Sequence, residues 1–195
     1  MIAHLRGVVA AIGATWVVVD VGGLGVRALC TPATAGAQRI GAETTLATSL
    51  IVREESLTLY GFSGPDERDC FELVQTASGI GPKIALSVVS VLGPDELRAA
   101  VAGGNIAALT RVPGIGAKGA QRLILELKDR IGQLAVASQA GGPASGWREQ
   151  VQAGLEGLGW SSRDAAAACD RVADLAETEA SVAVLMRAAL RTLAK

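Results

Sequence analysis

The sequence predicts a multidomain α+β protein: an N-terminal OB-fold β-barrel, a central all-α domain, and a small C-terminal three-helix domain on a flexible linker. Three observations carry this reading. The first 62 residues are rich in Val, Thr, Ile and Leu and are cut by turn signals, apolar spacing changes to a helical period at Pro65, and residues 138–146 contain nothing able to anchor a core. The boundaries that follow are 1–62 for the barrel, 63–133 for the helical domain, 134–147 for the linker and 148–195 for the last domain.

In the barrel region, residues 15–21 (TWVVVDV) and 24–29 (LGVRAL) flank Gly22-Gly23, which reads as a β-hairpin. Runs at 2–12, 44–52 and 56–62 bring the count to five short strands, enough for a small closed barrel. An SH3-like barrel is the alternative of similar size. From Pro65, Asp66-Glu67-Arg68-Asp69 places acid where a helix dipole favours it, and Cys70, Phe71, Leu73 and Val74 supply an apolar stripe. Asp66, Glu67, Asp69 and Glu72 are read as a solvated helix start. Residues 147–195 hold three helix-sized segments, with Ser161 or Ser162 placed to cap the second. Their apolar residues, Leu155, Leu158, Trp160, Val172, Leu175, Val182, Val184, Leu185, Met186, Leu190 and Leu193, divide between a core and a partner face in a way that sequence does not sort.

Composition excludes several chemistries. Fourteen Arg and four Lys face 19 acidic residues, so the net charge of −1 creates no global field, and any contact with nucleic acid must be local. One histidine, His4, and three scattered cysteines, Cys30, Cys70 and Cys169, argue against a zinc site, a histidine-based triad and a disulfide framework. The cysteines fit reduced, buried thiols in a cytoplasmic protein, and no early apolar run is long enough for a bilayer. No metal, cofactor, catalytic residue or membrane contact is expected.

Aligned on itself, the helical region contains a repeat: Gly79-Ile80-Gly81-Pro82-Lys83 recurs as Gly114-Ile115-Gly116-Ala117-Lys118, 35 residues later, each copy preceding an apolar helix. Glycines can adopt positive φ and let the main chain approach another surface with its N–H groups outward. The following helix adds its unpaired amides and positive dipole end, and the lysine adds a full charge. A phosphate is the natural guest. Neither copy is a Walker loop, since Ile84 and Gly119 stand where a hydroxyl residue is required, and neither follows a predicted strand as a dinucleotide fingerprint would. Helix capping alone would explain one copy, but it does not require lysine at the same offset twice. Charged residues between 105 and 122 are Arg111, Lys118 and Arg122, all positive. The candidate phosphate contacts are therefore Gly79, Gly81, Lys83, Gly114, Gly116, Lys118 and Arg122, with Arg53 and Arg111 as weaker candidates that an acid could equally pair.

Gly-Ile-Gly-x-Lys between helices resembles the helix-hairpin-helix motif of DNA repair and recombination proteins. Residues 1–7 (MIAHLRG), Val52-Arg53-Glu54-Glu55 followed by Leu59-Tyr60-Gly61-Phe62, both hairpins, and residues 123–129 (LILELKD) are similar to the bacterial RuvA family, in the family's domain order. The resemblance implies a non-catalytic subunit that binds Holliday junctions as a tetramer, with an octamer left open. It further implies delivery of the junction to a RuvB hexameric ATPase through the C-terminal domain, and a RuvC resolvase as a further partner. ATP hydrolysis would belong to RuvB. Glu54 and Glu55, by themselves a solvated hairpin turn, correspond in that family to an acidic pin near the junction centre. Two other classes stand beside this one: a helix-hairpin-helix repair enzyme of glycosylase or nuclease type, for which no catalytic centre is evident, and an OB-fold protein for RNA or single strands, for which Trp16 and Tyr60 make a poor stacking platform.

Overall fold

A computed structural model of the chain describes residues 2–140, 146–178 and 181–193. Residues 1–138 form one compact unit and 139–195 a second.

In the first unit, β1 (His4–Ile12), β2 (Trp16–Val21), β3 (Leu24–Leu29), β4 (Glu43–Arg53) and β5 (Ser56–Phe62) close a barrel in the order β1-β2-β3-β5-β4. Strand β1 pairs with both β2 and β4, and β3 meets β5 in parallel at Leu29 and Tyr60, so the OB-type barrel is the one formed. The β2–β3 turn has φ of 63° at Gly22 and 93° at Gly23, the geometry of a type I′ hairpin turn. Alternation fills the interior with Leu5, Val9, Val17, Val19, Ala28 and Leu46. A short helix that the sequence does not predict, α1 (Pro32–Gly36), follows β3. Thr31 caps it by accepting from the Thr34 amide.

The helical half continues with α2 (Pro65–Gln75), α3 (Pro82–Ala102), α4 (Ile106–Thr110) and α5 (Ala117–Ala140). Helix α3 is two helices meeting at Gly93, where φ is 67° and Pro94 starts the second. The barrel does not stand apart from these helices. Tyr60 and Phe62 of β5 pack on Phe71 of α2, with ring centroids 4.8 and 4.9 Å apart, inside the core formed by α2–α5.

The structure corrects two expectations in this unit. The linker is expected from residue 134, but α5 runs to Ala140, because nothing between Gln133 and Ala140 breaks a helix. The part of the expected linker at 141–145 lies outside the described residues. Secondly, Glu67 is not part of a solvated helix start. It is 8% exposed and accepts hydrogen bonds from Thr31 Oγ1 (2.8 Å), Thr34 Oγ1 (2.9 Å), Ser63 N (2.9 Å) and Ser63 Oγ (2.9 Å), so that it ties α2 to the barrel. Asp66 likewise holds Arg98 of α3 through both carboxylate oxygens, at 2.7 and 2.9 Å.

The second unit contains α6 (Trp147–Gly157), α7 (Ser162–Arg171), α8 (Ala173–Thr178) and α9 (Val182–Leu193). The expected three helices are α6, α7 and α9, with α8 a short additional turn of helix. Ser161 is the α7 cap, accepting from the Asp164 amide at 3.1 Å. The core contains Val151, Leu155, Ala165, Ala168, Cys169, Val172 and Leu185, with Val182, Met186, Leu190 and Leu193 packed on it. Leu158, Trp160 and Leu175 remain exposed, at 63%, 37% and 38%. Among the described residues, no helix is long and apolar enough to cross a membrane.

Candidate nucleic-acid interface

The repeat in sequence is a repeat in structure. At a shift of 35 residues, four main-chain hydrogen bonds recur. Thr76 N to Leu73 O, Ala77 N to Val74 O, Ile80 N to Ala77 O and Ala85 N to Gly81 O are matched by Arg111 N to Ala108 O, Val112 N to Leu109 O, Ile115 N to Val112 O and Ala120 N to Gly116 O. Each copy is helix, bend, helix: α2 into α3, and α4 into α5. The bend needs glycine at its first position, since φ is +82° at Gly79 and +92° at Gly114, a conformation that side-chain-bearing residues rarely adopt. The isoleucine between the glycines turns inward: Ile115 is buried in the helical core and Ile80 packs against it. The bend is thereby pinned from within while its main chain faces outward.

Gly79, Gly114 and Gly116 are exposed and Gly81 is half-buried; Lys83, Lys118 and Arg122 are exposed. Gly81 is the N-cap of α3 with no side-chain cap, so the first amides of that helix have no side-chain acceptor there. Lys83 and Lys118 each occupy the second position of a helix, where the dipole disfavours a cation. Helix stability therefore does not account for a lysine placed twice against the local field.

The two bends also lie against each other's helices. An added Cβ on Gly79 would stand 3.7 Å from Arg122 Nη1 on α5, and one on Gly114 would stand 3.7 Å from Ile84 Cγ1 on α3. Arg122 Nη1 reaches the Ser78 carbonyl at 3.5 Å. The duplicated bends and their cations thus form one surface feature. Two amide-presenting bends related by a repeat suit the two antiparallel backbones of one duplex, with phosphate contact and little base readout.

The other candidates separate. Arg111 pairs with Glu96 at 2.9 Å, the pairing with an acid that the sequence leaves open. Arg53 ends β4, and with Lys83, Ser56 and Thr58 it lines a small polar cleft of about 150 Å³ between the barrel and α3. Glu54 and Glu55 form the exposed two-residue turn between Arg53 and Ser56, which pair directly across the β4–β5 ladder. The buried cysteines are held toward the thiol form: burial, assisted by the charge of Glu67, pushes Cys30 up to about 11, burial with Asp66 nearby does the same to Cys70, and burial also raises Cys169. Among the described residues no group of three or more His, Cys, Asp or Glu is placed to hold a metal ion.

Sequence reasoning misses the residues that hold the first bend. On α5, Glu126 Oε2 accepts from the Ser78 amide at 2.7 Å, and Arg130 Nη1 donates to Thr76 Oγ1 at 2.8 Å. These contacts span 48 and 54 positions, and no local pattern signals them.

Comparison with known proteins gives matches along the chain. Residues 1–61 match the family model described as RuvA N terminal domain, 71–129 the SAM-like helix-hairpin-helix tandem, and 146–194 the RuvA C-terminal domain. The chain is 54% identical over 201 residues to a Cutibacterium acnes protein, with all of both chains covered. It is 53% identical over 199 residues to one from Nocardioides sp. and over 201 residues to one from Thermobifida fusca, again over the full length of each. All three carry the name Holliday junction branch migration complex subunit RuvA.

Proposed function

The chain belongs to the RuvA family, and from that premise we propose that it is a non-catalytic, structure-specific subunit that grips four-way DNA junctions through the paired glycine bends. The observation that carries this reading is the duplicated bend, with positive φ at Gly79 and Gly114 and exposed lysines at one offset beside them. Gly79, Gly81, Lys83, Gly114, Gly116, Lys118 and Arg122 are assigned to phosphate contact. A helix-hairpin-helix repair enzyme is not supported, since the domains flanking the tandem on both sides match RuvA's own.

Four subunits around a junction would engage four duplex arms, and multivalency would turn weak phosphate contacts into firm binding only where the arms match that arrangement. Selectivity then comes from geometry and tolerates any sequence. The partners in this reading are a RuvB-type hexameric ATPase, which supplies ATP hydrolysis and binds through the C-terminal domain, and a RuvC-type resolvase, in a cytoplasmic setting. Exposed Leu158, Trp160 and Leu175 in the second unit support a partner face there. Gel-shift comparison of a four-way junction with linear duplex, together with the native mass of the complex, tests the proposal. Equal affinity for both substrates, or a monomeric complex, would overturn it.

Glu54 and Glu55 are assigned as an acidic pin. In a tetramer, 4 × 2 = 8 carboxylates would stand near the crossing strands and repel phosphate, keeping the centre open. The Glu54→Gln, Glu55→Gln double variant is expected to bind junctions severalfold more tightly at low salt and to show an altered branch-migration rate with the motor. Wild-type values for both quantities would remove the electrostatic role.

A further inference from the structure

The two bends are built alike but restrained differently. Ser78 and Pro113 are equivalent at the 35-residue shift. In the second bend the proline ring fixes φ near −65° and leaves no N–H to satisfy. Ser78 has a free φ and an amide that no main-chain acceptor takes up. That amide donates to Glu126 at 2.7 Å, while Arg122 donates to the Ser78 carbonyl and Arg130 to Thr76. Residues 122, 126 and 130 stand four apart on α5, so one stripe of the helix that begins at the second bend holds the first.

We infer that Glu126 is a positioning residue, whose carboxylate does for the first bend what the proline ring does for the second, fixing the spacing of the two phosphate-contacting bends. The inference rests on the phosphate-contact reading. Two contact points on one duplex reinforce each other only if their separation is set before binding; a first bend free to wander would bind with the cost of ordering it. Charge alone predicts the opposite effect. Glu126 puts a negative group beside a face built for anions, so its removal would strengthen binding if it did nothing but repel phosphate.

The experiment uses the full chain and a labelled four-way junction, with E126A, E126Q, S78P, E126A/S78P and K118A compared for affinity and thermal melting. E126A is expected to weaken junction binding on the order of tenfold. E126Q retains an oxygen that accepts the Ser78 amide and is expected to recover most of that loss. Introducing S78P into the E126A background supplies the ring restraint and is expected to recover most of it as well. E126A binding as tightly as wild type or tighter would overturn the inference, as would a loss that neither E126Q nor S78P recovers. Should S78P itself lower the melting temperature, E126Q decides alone. K118A separates the two readings: weak binding by K118A beside unchanged binding by E126A sinks only the positioning role, whereas unchanged K118A sinks phosphate contact at the bends.

Discussion

Replacing Lys83 and Lys118 together by alanine is expected to weaken four-way-junction binding by on the order of a hundredfold at low salt and to flatten its salt dependence. Both side chains are exposed in the first turn of a helix that follows a glycine bend. If four subunits engage one junction, the double variant removes 2 × 4 = 8 ammonium groups from the complex. Removing one lysine–phosphate pair should lower the slope of log affinity against log salt by roughly 0.9, because fewer counterions are displaced on binding. The weakening is therefore largest at low salt and shrinks as salt rises. Folding is not expected to suffer. A cation at a helix start opposes the dipole by about 0.3–1 kcal/mol, so alanine should leave the melting temperature unchanged or slightly higher. A salt titration of junction affinity checks this, and parallel lines of equal slope for variant and wild type would show that these lysines do not meet phosphate.

What sequence makes legible is whatever is encoded locally. The Gly22-Gly23 turn, the alternating strands and the α7 cap each depend on neighbours a few residues away; the first two form as the sequence predicts, and of the two serines it offers as the cap Ser161 is the one used. The duplicated bend is legible for a different reason: two copies can be compared with one another, and glycine, isoleucine and lysine recur at fixed offsets. Interactions made at long range are not legible. Glu67 looks like one more acid at a helix start, yet the hydroxyls that donate to it, on Thr34 and Thr31, lie 33 and 36 residues earlier. Glu126 reads in sequence as an acid spaced to pair with Arg122 or Arg130 on its own helix, and only the fold places Ser78 beside it. The five residues of α1 carry no periodicity long enough to detect, and the end of α5 cannot be told from a tether, because Ala, Ser and Gln suit both.

Glu67→Ala is expected to destabilise the first unit by about 3 kcal/mol, as the loss of a buried acceptor leaves several donors without a partner. Thr31 and Thr34 are 1% exposed and direct their hydroxyls at the carboxylate, and the Ser63 amide and hydroxyl share its second oxygen. Among the described residues, the hydrogen bonds of these hydroxyls and of the Ser63 amide reach no other carboxylate. For a unit of this size, that loss should lower the melting temperature by roughly 10 °C. Glu67→Gln keeps one oxygen for the Ser63 amide and turns its NH2 toward Thr31, whose hydroxyl can accept, so about half the effect is expected. The consequence reaches the face proposed for phosphate contact, because α2 leads directly into the first bend and Glu67 fastens the start of α2 to the barrel. Junction affinity should therefore fall with stability in the alanine variant even though Glu67 touches no phosphate. Differential scanning calorimetry of the three proteins, read on the transition of residues 1–138, checks the ordering wild type, Gln, Ala; an alanine variant melting within about 2 °C of wild type would mean that the carboxylate is replaceable by water and that Tyr60, Phe62 and Phe71 alone fasten the barrel to the helices.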